Sequence, residues 1–398
     1  MSWLRRLRGS LNLADLPLAW LQLKRQPIRY LVAVTGIGFA ALLMYMQIGF
    51  QSGLLSSATT FYEALDADLV LISPGTLNSG NFQQFPQSLL FNALGVEGVK
   101  QTIPLYVANV NAQKLGGVKP TSLRLIGYDP DARVLNLPEV IAQREFLKTP
   151  NYVLFDTLGN RNTGPIAAAV KENRYQDLIL SDFSKSFRVT GLFRLGSTFA
   201  ADSNLISSDS TAIQLAFRQI NEGEISLGLI RLDDGASTDR VQRFLQHQYG
   251  RELQVLTKAE LIAQETNYWN TASSFGVIFG FGTIMGLLVG GVVVYQVLYT
   301  DVSDHLKEYA TLKAMGFADG FILTIVIQEA LLLGVSSFIP ATVVSTGMYA
   351  FLTATSGIRI QMTADKTLLV GSLTLGVCAA SAAIAIRKLR DADPASVF

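Results

Sequence analysis

The sequence predicts an α-helical membrane protein with four transmembrane helices and an α+β extracytoplasmic domain inserted between helices 1 and 2. Long apolar runs occur once near the start of the chain and three times after residue 272, and the residues between are of mixed polarity. A spanning helix needs about 20 consecutive apolar residues. Only 16% of the 398 residues are charged and the mean hydropathy is +0.32. Both values favour a membrane protein because the apolar residues are clustered.

Charge and residue content exclude several classes of function. The formal net charge is +1, so no bulk electrostatic attraction to nucleic acid is expected. The single cysteine, Cys378, lies in an apolar run, which excludes a disulfide within the chain and a cysteine-rich metal site. The two histidines, His247 and His305, are far apart in sequence. We therefore expect no metal site and no nucleic-acid partner.

Motifs for catalysis are also missing from the sequence. It contains no Gly-x-x-x-x-Gly-Lys-Ser/Thr phosphate cradle, no Gly-x-Ser-x-Gly nucleophile elbow and no His-Glu-x-x-His pair. Folding could still bring together acids such as Asp129, Asp131 and Asp156, so an exported active site stays open as an alternative. We predict no catalytic residues and no cofactor in this chain.

Residues 1–29 are predicted to form a cytoplasmic or interfacial basic helix. They carry six basic residues against one acid, Asp15, and Trp20 lies where apolar and basic residues mix. This composition suits a helix in the membrane interface, and it is equally typical of the basic flank of a spanning helix. Basic residues beside a membrane helix stay in the cytoplasm, so both interpretations place this segment inside.

Transmembrane helix 1 is predicted at residues 30–50. The chain carries no charged residue from Tyr30 to Tyr62. That run is too long, and lies too far along the chain, for a cleavable signal peptide. We therefore expect an uncleaved helix, after which the chain is exported.

Residues 51–272 are predicted to form a periplasmic α+β domain of one or two lobes. Stretches rich in β-branched and aromatic residues predict strands at 68–72, 105–110, 122–126, 187–193 and 226–232. Helical patterns alternate with them at 138–148, 209–221 and 238–249. A capping box, Thr257 with Glu260, begins a last helix before the membrane. The polar segment 78–84 is interpreted either as a docking surface or as a solvated loop.

Transmembrane helix 2 is predicted at residues 273–300. It carries Gly282, Gly286 and Gly290 at intervals of four residues. Glycine at this spacing lets two helices approach closely in lipid. The ladder is therefore either a seam with a second copy of the chain or a packing surface for the chain's own helices.

Residues 301–316 are predicted to form a short cytoplasmic helix, because they are too polar for lipid and too few for a domain. Val302, Leu306 and Tyr309 form an apolar stripe at helical spacing. Asp301 suits the helix start and Gly316 suits its end. Periodicity alone favours an interfacial connector here.

The remaining predicted elements follow from two further apolar runs. We predict transmembrane helix 3 at 317–354, a short periplasmic turn at 355–366, transmembrane helix 4 at 367–386 and a cytoplasmic tail at 387–398. Glu329 lies inside the third run, where an ionisable group must face the helix bundle or the headgroups. A structural role is favoured over a proton relay, because no second acid or histidine lies deep in the spans.

Several motifs together resemble those of a known family. Lys307-Glu-Tyr-Ala-Thr-Leu-Lys-Ala-Met-Gly316, followed by Gln328-Glu-Ala-Leu-Leu332, resembles the FtsX-like permeases of ABC systems, the macrolide-exporter class that works by mechanotransmission. Other motifs resemble the DevC subgroup, permeases of cyanobacterial glycolipid exporters: Pro17-Leu-Ala-Trp-Leu-Gln-Leu-Lys-Arg25, Gly191-Leu-Phe-Arg-Leu-Gly196, Val294-Tyr-Gln-Val-Leu-Tyr299, Asp301-Val-Ser-Asp-His305 and Arg387-Lys-Leu-Arg-Asp-Ala-Asp-Pro394.

The resemblance implies an assembly. Its parts are a homodimer of the permease in the lipid bilayer, a separate ABC ATPase that binds ATP and Mg, a periplasmic adaptor (membrane fusion protein) and a TolC-like outer-membrane channel. In this class, closure of the ATPases is passed through the 301–316 helix to the exported domain. The resemblance implies that the ATPase-coupling residues are Leu306, Glu308, Tyr309, Leu312, Lys313, Met315 and Gly316.

The expected function is that of a permease subunit of a tripartite ABC exporter that transports a glycolipid or another amphiphile. One alternative is a transmembrane signalling or scaffold subunit of an FtsX-like complex that regulates a periplasmic partner. Another is a lipoprotein-release permease. The expected location is the bacterial inner membrane, multi-pass, with both termini in the cytoplasm.

Overall fold

The structure is a computed structural model that describes residues 27–113, 120–159, 166–181, 184–196, 201–304, 319–356, 358 and 360–390. Three predicted elements lie mostly outside these residues: the 1–29 segment, the 301–316 helix and the 387–398 tail. The chain divides into two compact units. The first comprises Met1–Gln51, Val277–Phe351 and Ile360–Phe398, and the second comprises Ser52–Gly276 and Leu352–Arg359.

The first helix, α1 (Pro27–Ala64), is 38 residues long. At 1.5 Å per residue it measures about 57 Å, longer than the roughly 30 Å hydrocarbon core of a bilayer. The helix continues past residue 50, where the predicted span ends. Its last turns carry Phe61 and Tyr62, which are buried in an apolar cluster of the second unit. That packing explains why the helix extends so far.

The second unit is built on one nine-stranded sheet. The strands, numbered along the chain, are β1 (Leu69–Ile72), β2 (Phe85–Pro86), β3 (Val99–Ala112), β4 (Thr121–Tyr128), β5 (Tyr152–Asp156), β6 (Gln176–Ile179), β7 (Ser186–Phe193), β8 (Ser203–Ser208), β9 (Glu224–Ile225), β10 (Leu227–Leu232) and β11 (Gln254–Thr257). The order across the sheet is β11-β1-β10-β3-β4-β8-β5-β7-β6, and β2 pairs separately with β9. Only β4 with β8 and β5 with β7 are parallel pairs among the described strands.

Apolar side chains cover both faces of this sheet. Successive residues of a strand point to opposite faces. In β1, Leu69 and Leu71 belong to one buried cluster, while Val70 and Ile72 belong to the other. The five predicted strands all coincide with strands of this sheet, and two of them, 68–72 and 226–232, begin one residue before the observed strand. One continuous sheet therefore runs through the second unit, with a buried apolar cluster on each face.

Short helices of the second unit cover the sheet. They are α2 (Gln87–Asn92), α3 (Pro138–Ala142), α4 (Ile166–Asn173), α5 (Asp209–Leu215), α6 (Thr238–Tyr249) and α7 (Lys258–Asn267). The prediction for α6 is confirmed at both ends, and so is the capping box that begins α7. The prediction of one continuous helix at 138–148 is wrong. The α-helix ends at Ala142, and a separate 3-10 helix follows Gln143 at Arg144–Lys148. The Gln143 side chain hydrogen-bonds to both backbone groups of Leu192 in β7.

Three long helices complete the first unit, α8 (Ser274–Asp304), α9 (Asp319–Ser356) and α10 (Ala364–Arg390). With α1, they give four helices that are long and apolar enough to cross a membrane. The α9 helix contains Pro340 and is not divided there. Residues from all four helices form one buried apolar cluster, which includes Ile37, Leu298, Leu333 and Cys378.

Candidate functional site

The glycine ladder of α8 lies against α1. A methyl group built on Gly290 would be 3.0 Å from Cβ of Ala40, and one on Gly286 would be 3.0 Å from Cγ of Met44. The corresponding methyl group on Gly282 would overlap the side chain of Gln47. These three glycines therefore face a helix of their own chain, and their missing side chains permit the close approach of the two backbones.

One ion pair joins α1 to the end of α8, where the 301–316 segment begins. Nη2 of Arg29 donates a hydrogen bond to Oδ2 of Asp304 at 2.6 Å, and both side chains are partly exposed. The seven predicted coupling residues, Leu306, Glu308, Tyr309, Leu312, Lys313, Met315 and Gly316, lie outside the described residues. Asp304, which lies within the predicted 301–316 segment, is the last described residue before them.

Glu329 is buried inside the helix bundle. Only 2% of the residue is exposed, and the adjacent Gln328 is buried as well. Ala330 and Leu333, one and four positions further along α9, belong to the apolar cluster of the bundle. The carboxyl group of Glu329 therefore lies among protein atoms, as expected for an acid within an apolar span.

The second unit contains a buried polar network that the sequence did not predict. Glu265 in α7 is 2% exposed. Its carboxylate accepts hydrogen bonds from the backbone amide and the hydroxyl group of Ser79, and from Nε1 of Trp269 at 2.8 Å. Ser79 lies in segment 78–84 and is itself buried. The segment is therefore fastened to the helix that precedes α8 in the chain, and it is not a simple solvated loop.

Arg124 of β4 lies beside this network and is only 1% exposed. Its Nη2 donates to the carbonyl oxygen of Ser79 at 2.7 Å, and its Cζ atom is 5.9 Å from the ring centre of Phe61. Burial lowers the pKa of Arg124 to about 10, because burial disfavours the charged form. The nearby carboxylate of Glu265 acts in the opposite direction, since negative charge favours the guanidinium ion.

The three acids considered for an exported active site have separate partners. Asp156 is fully buried and accepts hydrogen bonds from the amides of Leu195 and Gly196 and from Nδ2 of Asn204. Asp131 pairs with Lys148 at 2.8 Å, which lowers the pKa of Asp131. Asp129 accepts a hydrogen bond from the amide of Asp131. None of these contacts joins two of the carboxylates to each other.

Comparisons with known proteins found similarity to permeases in part of the chain. Residues 280–394 match the family described as FtsX-like permease C-terminal. The macrolide export ATP-binding/permease protein MacB of Hyphomonas neptunium is 25% identical over 191 residues, which make up 48% of this chain and 29% of that relative. The chain thus spans less than a third of this relative's length.

Among solved structures, the periplasmic region of MacB from Actinobacillus actinomycetemcomitans is similar, with 15% identity, 51% of this chain and 94% of that chain covered, and a TM-score of 0.34. The extracellular domain of the ABC-type transporter YknZ from Gram-positive bacteria has 15% identity, covers 48% of this chain and 99% of that chain, and gives a TM-score of 0.29. The family match thus covers the helices after residue 280, and the curated relative is a MacB protein that shares a quarter of its residues over the matched range.

Proposed function

We propose that this chain is the permease subunit of a tripartite ABC exporter, in which a separate ATPase binds ATP and Mg and drives the membrane helices. The observation that carries the proposal is the match of residues 280–394 to FtsX-like permeases, because this range includes the 301–316 segment. The four apolar helices and the sheet-rich unit are consistent with it. The protein then lies in the inner membrane, with residues 51–272 in the periplasm and both basic ends in the cytoplasm.

The proposed mechanism is mechanical. The 301–316 helix receives the motion of the ATPase through Leu306, Glu308, Tyr309, Leu312, Lys313, Met315 and Gly316, and the long helices pass it on. The periplasmic domain then acts on an adaptor and a TolC-like outer-membrane channel. A homodimer contains two copies of the 301–316 helix. The proposed cargo is a glycolipid or another amphiphile, as in the DevC subgroup. A short rigid helix between motor and spans suits the transmission of a two-state motion.

The test is Leu312→Asp, compared with Thr311→Asp, which adds the same charge one position away. We expect the Leu312 variant to reach the membrane but to lose co-purification of its ATPase, because a charge replaces an apolar contact. The Thr311 variant is expected to retain the ATPase. Equal ATPase recovery and export in both variants would contradict the coupling role of Leu312.

The class of partner separates this proposal from its alternatives. Photocrosslinking from exposed positions of residues 51–272 is expected to capture a membrane fusion protein. Capture of a cell-wall hydrolase would instead support a signalling subunit. Capture of a lipoprotein as cargo, with no fusion protein, would support lipoprotein release.

A further inference from the structure

A cleft of about 390 Å³ lies in the second unit between segment 78–84 and strands β3 and β4. Its walls include Asn81, Asn109, Arg124 and Gln219, together with Phe82. Arg124 is the only charged residue among its described lining residues. Cavities that bind small molecules commonly measure about 300–1,000 Å³, whereas one water molecule occupies about 30 Å³. The cleft is therefore large enough for a ligand.

Arg124 and Asn109 lie directly opposite each other in the sheet. They are register partners in the antiparallel pair of β3 and β4, an arrangement that puts two side chains on one face with their Cβ atoms about 5 Å apart. Asn111 follows two positions along β3 and shares that face, but it does not line the cleft. The two facing polar side chains thus form the polar part of the cleft wall supplied by the sheet.

Each of these two side chains has one buried atom without a hydrogen-bond partner in the described part of the chain. On Arg124 it is Nη1, a donor, and on Asn109 it is Oδ1, an acceptor. The Asn109 amide has its Nδ2 atom 3.5 Å from the Gly80 carbonyl oxygen. A buried polar atom without a partner is unfavourable. A ligand group that both accepts and donates a hydrogen bond would satisfy these two atoms together.

A hydroxyl group meets both requirements, because it accepts from Nη1 of Arg124 and donates to Oδ1 of Asn109. A carboxylate meets only one of them, since it cannot donate to Asn109, and it would add negative charge near Glu265. The amides of Asn81 and Gln219 offer further donors and acceptors around the cleft. This combination suits a ligand with several neighbouring hydroxyl groups.

We propose that this cleft binds a polyhydroxylated ligand of the chemical class of a sugar, with Arg124 and Asn109 as its contact residues. Glu265 is a positioning residue, because it fixes Ser79, and the carbonyl oxygens of Ser79 and Gly80 contact Arg124 and Asn109. Contact of a ligand with Nη1 of Arg124 and Oδ1 of Asn109 requires segment 78–84 to move, because protein atoms cover both. The binding site rests on the geometry of the second unit alone, and only its connection with export depends on the proposed function.

The test uses the full chain in lipid nanodiscs without any ATPase, so that its result is independent of coupling. Binding of maltose, and of monoglucosyl diacylglycerol added to phosphatidylcholine nanodiscs, is measured by calorimetry and saturation-transfer NMR. The first probe represents a free sugar and the second a lipid headgroup. The test variant is Asn109→Leu. Its matched control, Asn111→Leu, makes the same change on the same face of β3 outside the cleft.

We expect the wild type and the Asn111 variant to bind at least one of the two probes with equal affinity. The Asn109 variant is expected to bind about tenfold more weakly, as the loss of about 1.4 kcal/mol of interaction would produce. Arg124→Lys is expected to weaken binding by a similar factor. The unfolding temperature of this variant is measured in parallel, so that a loss of binding can be told from a loss of folding. Absence of binding of both probes to the wild type, as when water alone fills the cleft, would overturn the proposal. Equal affinities of the Asn109 and Asn111 variants would overturn it as well.

Discussion

Ser79 and Glu265 are joined across 186 residues of sequence by the backbone amide and the hydroxyl group of Ser79, which donate to the carboxylate at 2.7–3.1 Å. Glu265 lies on the buried side of α7, one turn after Leu261. Segment 78–84 is therefore fixed to α7 by side-chain chemistry as well as by packing. Any displacement of α7 relative to β4 must either break these hydrogen bonds or move segment 78–84 together with α7.

Replacing Glu265 is expected to destabilise the second unit. Glu265→Ala removes the buried carboxylate that accepts hydrogen bonds from the Ser79 amide, the Ser79 hydroxyl and Nε1 of Trp269, and it leaves the Ser79 amide without its acceptor. Each unsatisfied buried group costs about 1–3 kcal/mol. We expect a lower unfolding temperature and faster hydrogen exchange in segment 78–84.

The matched control for that measurement is Glu252→Ala, which removes the same carboxylate from an exposed position beyond α6. This variant is expected to unfold like the wild type, since exposed acids contribute little. Unchanged exchange in segment 78–84 of the Glu265 variant would show that other contacts hold the segment.

The close packing of α8 on α1 predicts intolerance of bulk at the glycine ladder. Gly290→Leu is expected to cost about 1–3 kcal/mol, because the new side chain overlaps Ala40. Gly280→Leu is the control, since a methyl group at Gly280 meets no atom within 4 Å. Size-exclusion profiles after heating in detergent measure the difference. Equal heat resistance of the two variants would show that the close contact of α1 with α8 does not contribute to the stability of the protein.

The start of α7 predicts a pH effect at the capping box. The pKa of Glu260 is lowered, chiefly because its carboxylate accepts a hydrogen bond from the amide of Thr257. A carboxyl group whose pKa is lower in the folded state contributes stability above its unfolded pKa, about 4.5. That contribution is lost as pH falls through the folded pKa.

Glu260→Gln is therefore expected to be less stable than the wild type at pH 7 by a few tenths of a kcal/mol, because Glu260 is exposed and its charge is screened. Below the folded pKa of Glu260 the difference is expected to vanish. Thermal unfolding between pH 7 and 3 measures it. A constant difference over that range would mean that the charge of Glu260 has no part in the cap.

The ion pair between Arg29 and Asp304 predicts a charge-reversal effect on the proposed coupling. Arg29→Glu places two like charges at a 2.6 Å contact, and a partly exposed pair contributes about 0.2–1 kcal/mol. We expect ATP hydrolysis by the reconstituted complex to fall about threefold and the double variant Arg29→Glu with Asp304→Arg to recover it. Failure of the double variant to recover would indicate that Arg29 acts through another contact.

The membrane architecture could be predicted from the sequence because it depends on the length and polarity of runs. The four apolar helices all coincide with predicted runs. Short sequence patterns were also enough to predict elements whose structure depends on neighbouring residues alone, such as α6 and the capping box of Thr257 and Glu260. The length of α1 was underestimated, because its last turns are helical through tertiary packing of Phe61 and Tyr62.

The buried polar network could not be predicted from the sequence. Arg124 alternates with Leu123 and Leu125, a pattern that usually indicates one solvated face of a sheet. Here both faces are covered, so Arg124 is buried. The Asn-Ser-Gly-Asn composition of segment 78–84 likewise suggests solvent exposure, while Glu265 gives no local sign that it accepts hydrogen bonds from Ser79. Strand β8 was missed because Ser203, Asn204, Ser207 and Ser208 make it polar, although all of its residues are buried.

The only cysteine of the chain, Cys378, is fully buried among the membrane helices. Water-soluble thiol reagents attack exposed thiolates, so the native protein offers them almost no target. A single cysteine introduced into segment 78–84 or into residues 305–318 can therefore carry a spin label or a fluorophore without prior removal of the natural thiol. The mobility or environment of the label at either place can then be followed in an otherwise unaltered chain.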